Sequence, residues 1–458
     1  MNSKMKENPD SVSGVHSREP IAATISDGFS FGVAGDLVGP VRPETPMGDA
    51  GLMEVVARLR SADVCLANQE GSIFDIDAFS GHRAAEHGGG YPLSDVEMAA
   101  EIKALGFDVV TKANNHATDW GIEGLLATRK VLDQAGVAHA GSGPSKAAAR
   151  APAYIEMKKG RVAVISAAST FTPMSVAGEA DREVGPRPGI SVLRVTPVTL
   201  LTAQEMGLIR DIATRQGLGN SLDSRATGTD YRVRLGDEVF RESVQPGLTY
   251  EVNQADWREI LLSVRGAKQI SDFVVFALHG HETRSGDGAD ARPAEFVEEL
   301  AREAIDAGAD LVVVTGPHIL RGIEIYRGKP VFYSMGSFYL QFDGGRGPTF
   351  EAARALNIDP FALTKPEFMR KIIPVPDDWY DSMIAVTKYV GGVMSSVEIL
   401  PLRLTCYEAV RIQGAPRIAR GKDARRILDN IRALSSPYGT RLEIESDGEE
   451  AVGIIRAY

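Results

Sequence analysis

Five short stretches carry side chains that can bind metal or move protons. They are Asp36 in AGDLVG, Asn68 and Glu70 in ANQEGSI, Lys112 with Asn114, Asn115 and His116 in TKANNHATDWG, His279, His281 and Glu282 in LHGHE, and His318 in GPHILRG. Carboxylate, amide and imidazole groups are hard and borderline donors suited to Mn, Zn or Fe, and two carboxylates with several imidazoles can hold a two-ion cluster. The same set can work without metal, a carboxylate and an imidazole acting as general base and general acid. Residue type alone leaves both chemistries open.

Each stretch ends an apolar, β-rich run: FSFGVAGD, DVCLANQE, FDVVTKANNH, DFVVFALHGHE and ADLVVVTGPH. Helical patterns lie between them, in GLMEVVARLRSA, SDVEMAAEIKALG, GIEGLLATRKVLDQAG and AEFVEELAREAIDAG. This alternation predicts an α/β fold of sheets covered by helices. Polar groups recurring at the C-terminal ends of strands mark the edge where open α/β sheets bind ligands. Hairpins are expected in YIEMKKGRVAVISAAS, joined at KKG, and in GIEIYRGKPVFYSMGSF, turned at RGKP. Three stretches interrupt the pattern: a Gly-rich loop at 79–94, expected to overhang the site, and insertions at about 197–252 and 343–385. Residues 27–458 read as a single catalytic domain, and the polar residues 1–26 as a disordered leader.

With 43% hydrophobic and 24% charged residues, the chain is globular in composition. Its net charge of -11 argues against nucleic acid or an anionic membrane as partner, and the long insertions with the lack of an anchor point to a small soluble molecule or short peptide as the expected substrate. Cys65 and Cys406 have no CxxC spacing, so neither a disulfide framework nor a cysteine metal site is expected. No signal-like apolar core and no apolar run of membrane-spanning length occur, and the expected location is the cytoplasm. The sequence does not give the oligomeric state.

The ordered set AGDLVG, ANQEGSI, ANNHATDWG, LHGHE and GPHILRGIEIYRGKPVFYSMGSF resembles the CapA family of poly-gamma-glutamate capsule proteins, whose fold is similar to that of calcineurin-like metallophosphoesterases. The matching motifs cover most of residues 29–170 and 270–342. The resemblance implies an α/β layered sandwich, metallophosphoesterase-like, of β-sheets flanked by helices, with two inserted segments. It makes Asp36 the first carboxylate, Glu70 a bridging carboxylate, Asn115 a ligand and His116 the group facing the scissile bond, with imidazoles from His279 and His318. Asp36, Glu70, His116 and His279 become the candidate catalytic residues, and Asp36, Glu70, Asn115, His279, His281 and His318 the candidate metal ligands. The implied activity is metal-assisted hydrolysis or group transfer with a divalent ion (Mn, Zn or Fe).

Departures from the pattern support a second expectation. Val38 stands where metallophosphoesterases carry a histidine, Gly316 where the family commonly has one in its HPH motif, and Ser337 where it has an asparagine. The family resemblance extends to metal-independent epimerases acting on peptides, so a metal-free lyase or epimerase in the same cleft is the alternative. His281, two residues after His279, could replace the lost donor. Around the cluster, Asn114, Lys112, Arg284, Arg321, Trp379 and Tyr380 are expected to meet the substrate, the arginines through paired donors and the aromatics by stacking. Asn114 could equally brace the backbone, and Asp119 could cap the following helix or orient His116.

Overall fold

The computed structural model describes residues 24–39, 48–217, 232–341, 375–405 and 412–457, with some isolated positions between 353 and 371. Most of the expected leader, most of the 343–385 insertion and Cys406 lie outside the described residues.

Strand Ser30–Val38 organises a ten-stranded sheet. It runs parallel to Val64–Glu70 on one side and to Ser337–Leu340 near its end, and antiparallel to Asp381–Val390. The parallel part continues through Val109–Thr111 to Ala138–Ala140. A second sheet of six strands has Phe273–His279 between Gly160–Ala168 and Leu311–Thr315. Its two antiparallel hairpins are Ala153–Met157 with Gly160–Ala168 and Ile323–Tyr326 with Lys329–Phe332. The second turns through Arg327 and Gly328, both at positive φ, the conformation that suits the right-handed twist of a hairpin.

The two sheets pack face to face because their central strands are apolar on both faces. Phe29, Phe31, Val33 and Leu66 from the first sheet share a core with Val164, Phe273, Val275 and Val313 from the second. The Phe273 ring lies 5.1 Å from Phe29 and 5.4 Å from Phe31. Each such buried side chain contributes roughly 1.5–3 kcal/mol. Helices Ala50–Leu59 and Met98–Ala104 cover the outer face of the first sheet, and Gln254–Lys268 and Glu295–Ala307 that of the second. The order is helix, sheet, sheet, helix. Among the described residues no helix is long and apolar enough to cross a membrane.

Residues 195–217 and 232–252 form a unit of their own, a four-stranded sheet against which helix Ala203–Arg215 packs through Met206 and Ala213. Beyond YSMGSF the sequence reading anticipates no further strands, yet Asp381–Val390, Val393–Leu404 and Glu450–Arg456 complete the first sheet in antiparallel fashion. Helix Gly421–Ser435 packs on them through Ile427, Leu428 and Ile431. These strands follow one another without intervening helices for much of their length, so the strand–helix punctuation that reveals the first half is missing here.

Register places the polar strand ends together. Asp36 lies opposite Asn68 and Ser337, Asn68 opposite Thr111, and His279 opposite Thr315. A register irregularity between Val33 and Asp36 bends the first strand just before its carboxylate.

Candidate functional site

Asn68 holds the cluster together. Its amide nitrogen donates to Asp36 Oδ1 at 2.8 Å and lies 3.2 Å from His279 Nδ1. Its oxygen accepts from Thr111 Oγ1 at 2.9 Å and from Asn114 Nδ2 at 3.2 Å, while Asn114 Nδ2 also donates to the Gln69 carbonyl at 2.9 Å. A buried amide satisfied at both ends fixes its neighbours. Asn114 therefore acts as a brace, and the sequence missed the central role of Asn68. Its signal was its place two residues before Glu70, on the same face of the strand.

Asp36 Oδ2 accepts from the Gly316 N–H at 3.0 Å. Burial nonetheless pushes the Asp36 carboxyl up to about 6, against the pull of the Asn68 and Gly316 hydrogen bonds. Glu70 is fully buried, and neither of its carboxylate oxygens has a hydrogen-bond partner. Its Oε1 instead faces imidazole nitrogens: His279 Nε2 at 3.7 Å, His116 Nε2 at 3.9 Å and His318 Nε2 at 4.0 Å. Burial, then the nearby Asp36 carboxylate, raises Glu70 well above the usual carboxylate range. The same burial, with mutual repulsion, holds His279 and His318 well below the ordinary imidazole value and brings His281 to about 4. Near neutral pH these three imidazoles are uncharged and can offer lone pairs.

Two groups of donors share Glu70. In one, ligand atoms of Glu70, His279 and His281 lie within 4.8 Å of one another; in the other, those of Asp36, Glu70 and His318 do. Asn115 Oδ1, 2.8 Å from His279 Nε2, adds an oxygen to the first group. The six residues expected as ligands thus converge. An enclosed carboxylate with both oxygens unpartnered, beside uncharged imidazoles, fits a divalent ion.

The supporting residues are as specific. Thr315 Oγ1 lies 3.1 Å from His279 Nδ1, and Thr170 Oγ1 accepts from the His281 N–H at 2.9 Å. His318 is held in the left-handed backbone region at φ 59, a conformation a non-glycine residue keeps only when its surroundings enforce it. Ser337 Oγ, 2.9 Å from His318 Nδ1, is part of that enforcement. Val38, at the position where the resemblance leads one to expect a histidine in metallophosphoesterases, packs with Leu340, Leu404, Val375, Trp379 and Tyr380. The Trp379 ring sits 4.7 Å from the His318 ring, so the end of the third interrupting segment reaches the cluster.

His116 Nδ1 lies 2.6 Å from Asp119 Oδ2. Asp119 does not cap the next helix: Trp120 occupies the cap of Gly121–Ala135, without a side-chain cap bond. Asp119 Oδ1 accepts instead from the Gly88 N–H at 2.8 Å, and the Gly88 carbonyl accepts from Asn115 Nδ2 at 2.7 Å. A Cβ at position 88 would lie 2.5 Å from the Asn115 carbonyl oxygen, so only glycine lets this loop lie so close.

Three expected substrate contacts are engaged elsewhere. Lys112 is buried and donates to the carbonyls of Gln69 and Gly71 at 3.0 and 2.5 Å, bracing the turn that carries Glu70. Arg284 pairs with Glu298 at 3.0 Å and Glu295 at 3.4 Å. Arg321 is fully buried and approaches the Glu282 carbonyl at 3.5 Å, behind the HGHE turn. Lys112 and Arg321, long cations folded inward, brace the loops they reach. Tyr380 lies beside Arg403, 5.8 Å from its guanidinium.

Residues 39–341 match the family described as bacterial capsule synthesis protein PGA_cap. The chain is similar to the uncharacterized protein y4sH of Sinorhizobium fredii, 36% identical over 452 residues, covering 95% of this chain and 94% of that one. It is also similar to a probable polyglutamine synthesis accessory protein of Mycobacterium tuberculosis, 25% identical over 424 residues, 91% of this chain and 83% of that. The capsule biosynthesis protein CapA of Bacillus anthracis is 25% identical over 257 residues, 56% of this chain and 45% of that.

Proposed function

The chain belongs to the bacterial capsule synthesis protein family, and from that premise we propose that it is a metal-assisted hydrolase or group-transfer enzyme of metallophosphoesterase-like fold, acting on a small soluble substrate or peptide. The observation that carries the reading is Glu70, enclosed, unpartnered at both oxygens and faced by three imidazoles. Asp36, Glu70 and His318 on one side, and Glu70, Asn115, His279 and His281 on the other, would hold the ion or ions. A bound divalent ion supplies Lewis acidity, offsetting the carboxylate charge and polarising a substrate oxygen.

The remaining work falls to this chain's own side chains. With Asp119 accepting from Nδ1–H, His116 can present a proton at Nε2, toward Glu70 and the cluster, and deliver it to a leaving group. The Gly88 backbone keeps Asp119 and Asn115 in place. Trp379, beside His318, offers an apolar wall for the substrate. The names of the Bacillus and Mycobacterium relatives attach to capsule and polyglutamine synthesis, which makes amide-linked glutamate peptides the first substrates to try. The net charge of -11 supports a partner other than nucleic acid or an anionic membrane.

The test is elemental analysis of the purified protein together with turnover of a phosphomonoester, a phosphodiester and a γ-glutamyl peptide, with and without chelator. Bound transition metal and chelator-sensitive turnover are expected. Protein that binds no ion and turns over unchanged in chelator would exclude the reading. Val38 and Gly316 favour a second reading, a metal-independent lyase or epimerase in which Glu70 and His116, 3.9 Å apart, move protons on a bound substrate. Solvent-deuterium incorporation into a peptide α-carbon by chelator-treated protein would support it.

A further inference from the structure

The two donor groups that share Glu70 differ in how this chain has altered them. Gly316 has φ +117, and a Cβ built there would lie 2.6 Å from His281 Cδ2, 2.9 Å from His281 Nε2 and 3.2 Å from His279 Cε1. The His281 ring therefore fills the space into which a side chain at 316 would start. The two positions cannot both project there. His281 Nε2 is enclosed and without a hydrogen-bond partner, while its backbone is tied to Thr170. An imidazole nitrogen left bare in a buried cluster beside an equally bare carboxylate is placed to bind something.

Nothing comparable happens on the other side. Val38 adds no donor; it packs with Leu340, Leu404 and Trp379. The first group therefore offers Glu70, Asn115 and two imidazoles, and the second offers two carboxylates and one imidazole. Nitrogen-rich sets favour Zn and Co over Mg and Mn, and more protein donors bind more tightly.

Resting on the metal reading above, we propose that His281 is the donor lacking from the Gly316 turn, moved to the neighbouring loop, and that it makes the site unequal. Glu70, Asn115, His279 and His281 hold one Zn or Co ion tightly, and Asp36, Glu70 and His318 hold a second ion that exchanges freely.

The experiment loads the full chain with Zn or Co, dialyses it against metal-free buffer and measures retained metal by elemental analysis. Folding is checked by thermal unfolding. Wild type should retain one ion per chain and His318→Ala should still retain it. His281→Gln and Gly316→Ala, the latter pushing the His281 ring aside, should each weaken retention by at least the ~10–100-fold that changes around a metal site cause. Full retention by folded His281→Gln, loss of the ion in His318→Ala, or two ions held equally in wild type would each overturn the inference while leaving the metal reading standing. A wild type that takes up no ion at all would overturn both.

Discussion

His116 Nδ1 and Asp119 Oδ2 are 2.6 Å apart, three positions from each other in a loop that the Gly88 backbone closes from above. The bond leaves His116 Nε2 directed at the carboxylate of Glu70, 3.9 Å away. An imidazole oriented through one nitrogen by a buried carboxylate is set to exchange a proton at the other.

His116→Ala is accordingly expected to lower turnover about 10²–10⁴-fold, the usual contribution of a positioned acid or base. Asp119→Asn should also lower turnover, because a neutral amide no longer stabilises the positive charge His116 carries when it holds a proton at Nε2 with Nδ1–H directed at residue 119. Both variants should retain wild-type metal content, since neither residue is among the six converging donors. Metal loss from Asp119→Asn would show that the carboxylate serves the ion and not His116.

Glu70→Gln separates stability from function. In metal-free protein Glu70 is buried with neither oxygen hydrogen-bonded, and burial, then the Asp36 carboxylate, raises its carboxyl well above the usual range, so holding a charge there costs free energy. A neutral amide of the same shape removes that charge. Chelator-treated Glu70→Gln should be more stable than chelator-treated wild type near neutral pH, by on the order of 1–3 kcal/mol in urea unfolding. Added divalent ion should stabilise wild type alone. Equal stability of the two metal-free proteins would mean that Glu70 is already satisfied.

The strand ends were legible because each joins a local apolar run to a polar pair, a pattern that needs no knowledge of the rest of the chain. The convergence of Asp36, Glu70, His279 and His318 follows from that pattern plus parallel pairing. Asn68 was harder to see. Its role depends on lying opposite both Asp36 and Thr111, and register is set by long-range packing that no neighbouring residue announces. Lys112 misled for a related reason. A lysine next to a functional loop ordinarily points to solvent, and here it turns inward to donate to the buried carbonyls of Gln69 and Gly71.

Buried Lys112 carries a pH signature. Burial lowers its ammonium to about 8, against the opposing influence of Asp119 and Glu70, whereas the unfolded chain titrates near the ordinary value of 10.5. Between these values the unfolded state still holds a proton that the native state has released, so native stability rises with pH across that window. Below about 8 both states are protonated and the effect is constant. Relative to Lys112→Met, which lacks the group, wild type should gain up to about 3 kcal/mol on going from about pH 7.5 to about pH 10.5, read from paired urea titrations. A difference that stays flat with pH would place the Lys112 ammonium in contact with water.

Gly88→Ala tests whether the Gly-rich loop is part of the site. The added methyl would meet the Asn115 carbonyl oxygen at 2.5 Å and Asn115 Nδ2 at 3.0 Å, and a backbone atom cannot step aside as a flexible side chain can. The loop must lift, breaking the Gly88 bonds to Asp119 and Asn115 together. Residues 79–94 lie outside both sheets, so the melting temperature should fall little while turnover falls about 10-fold or more, the scale of small misplacements around a reacting group. The affected quantity should be kcat, because His116 loses its orientation while the donors on the sheet strands keep theirs. Wild-type kcat in Gly88→Ala would mean that the loop is a cover without influence on His116.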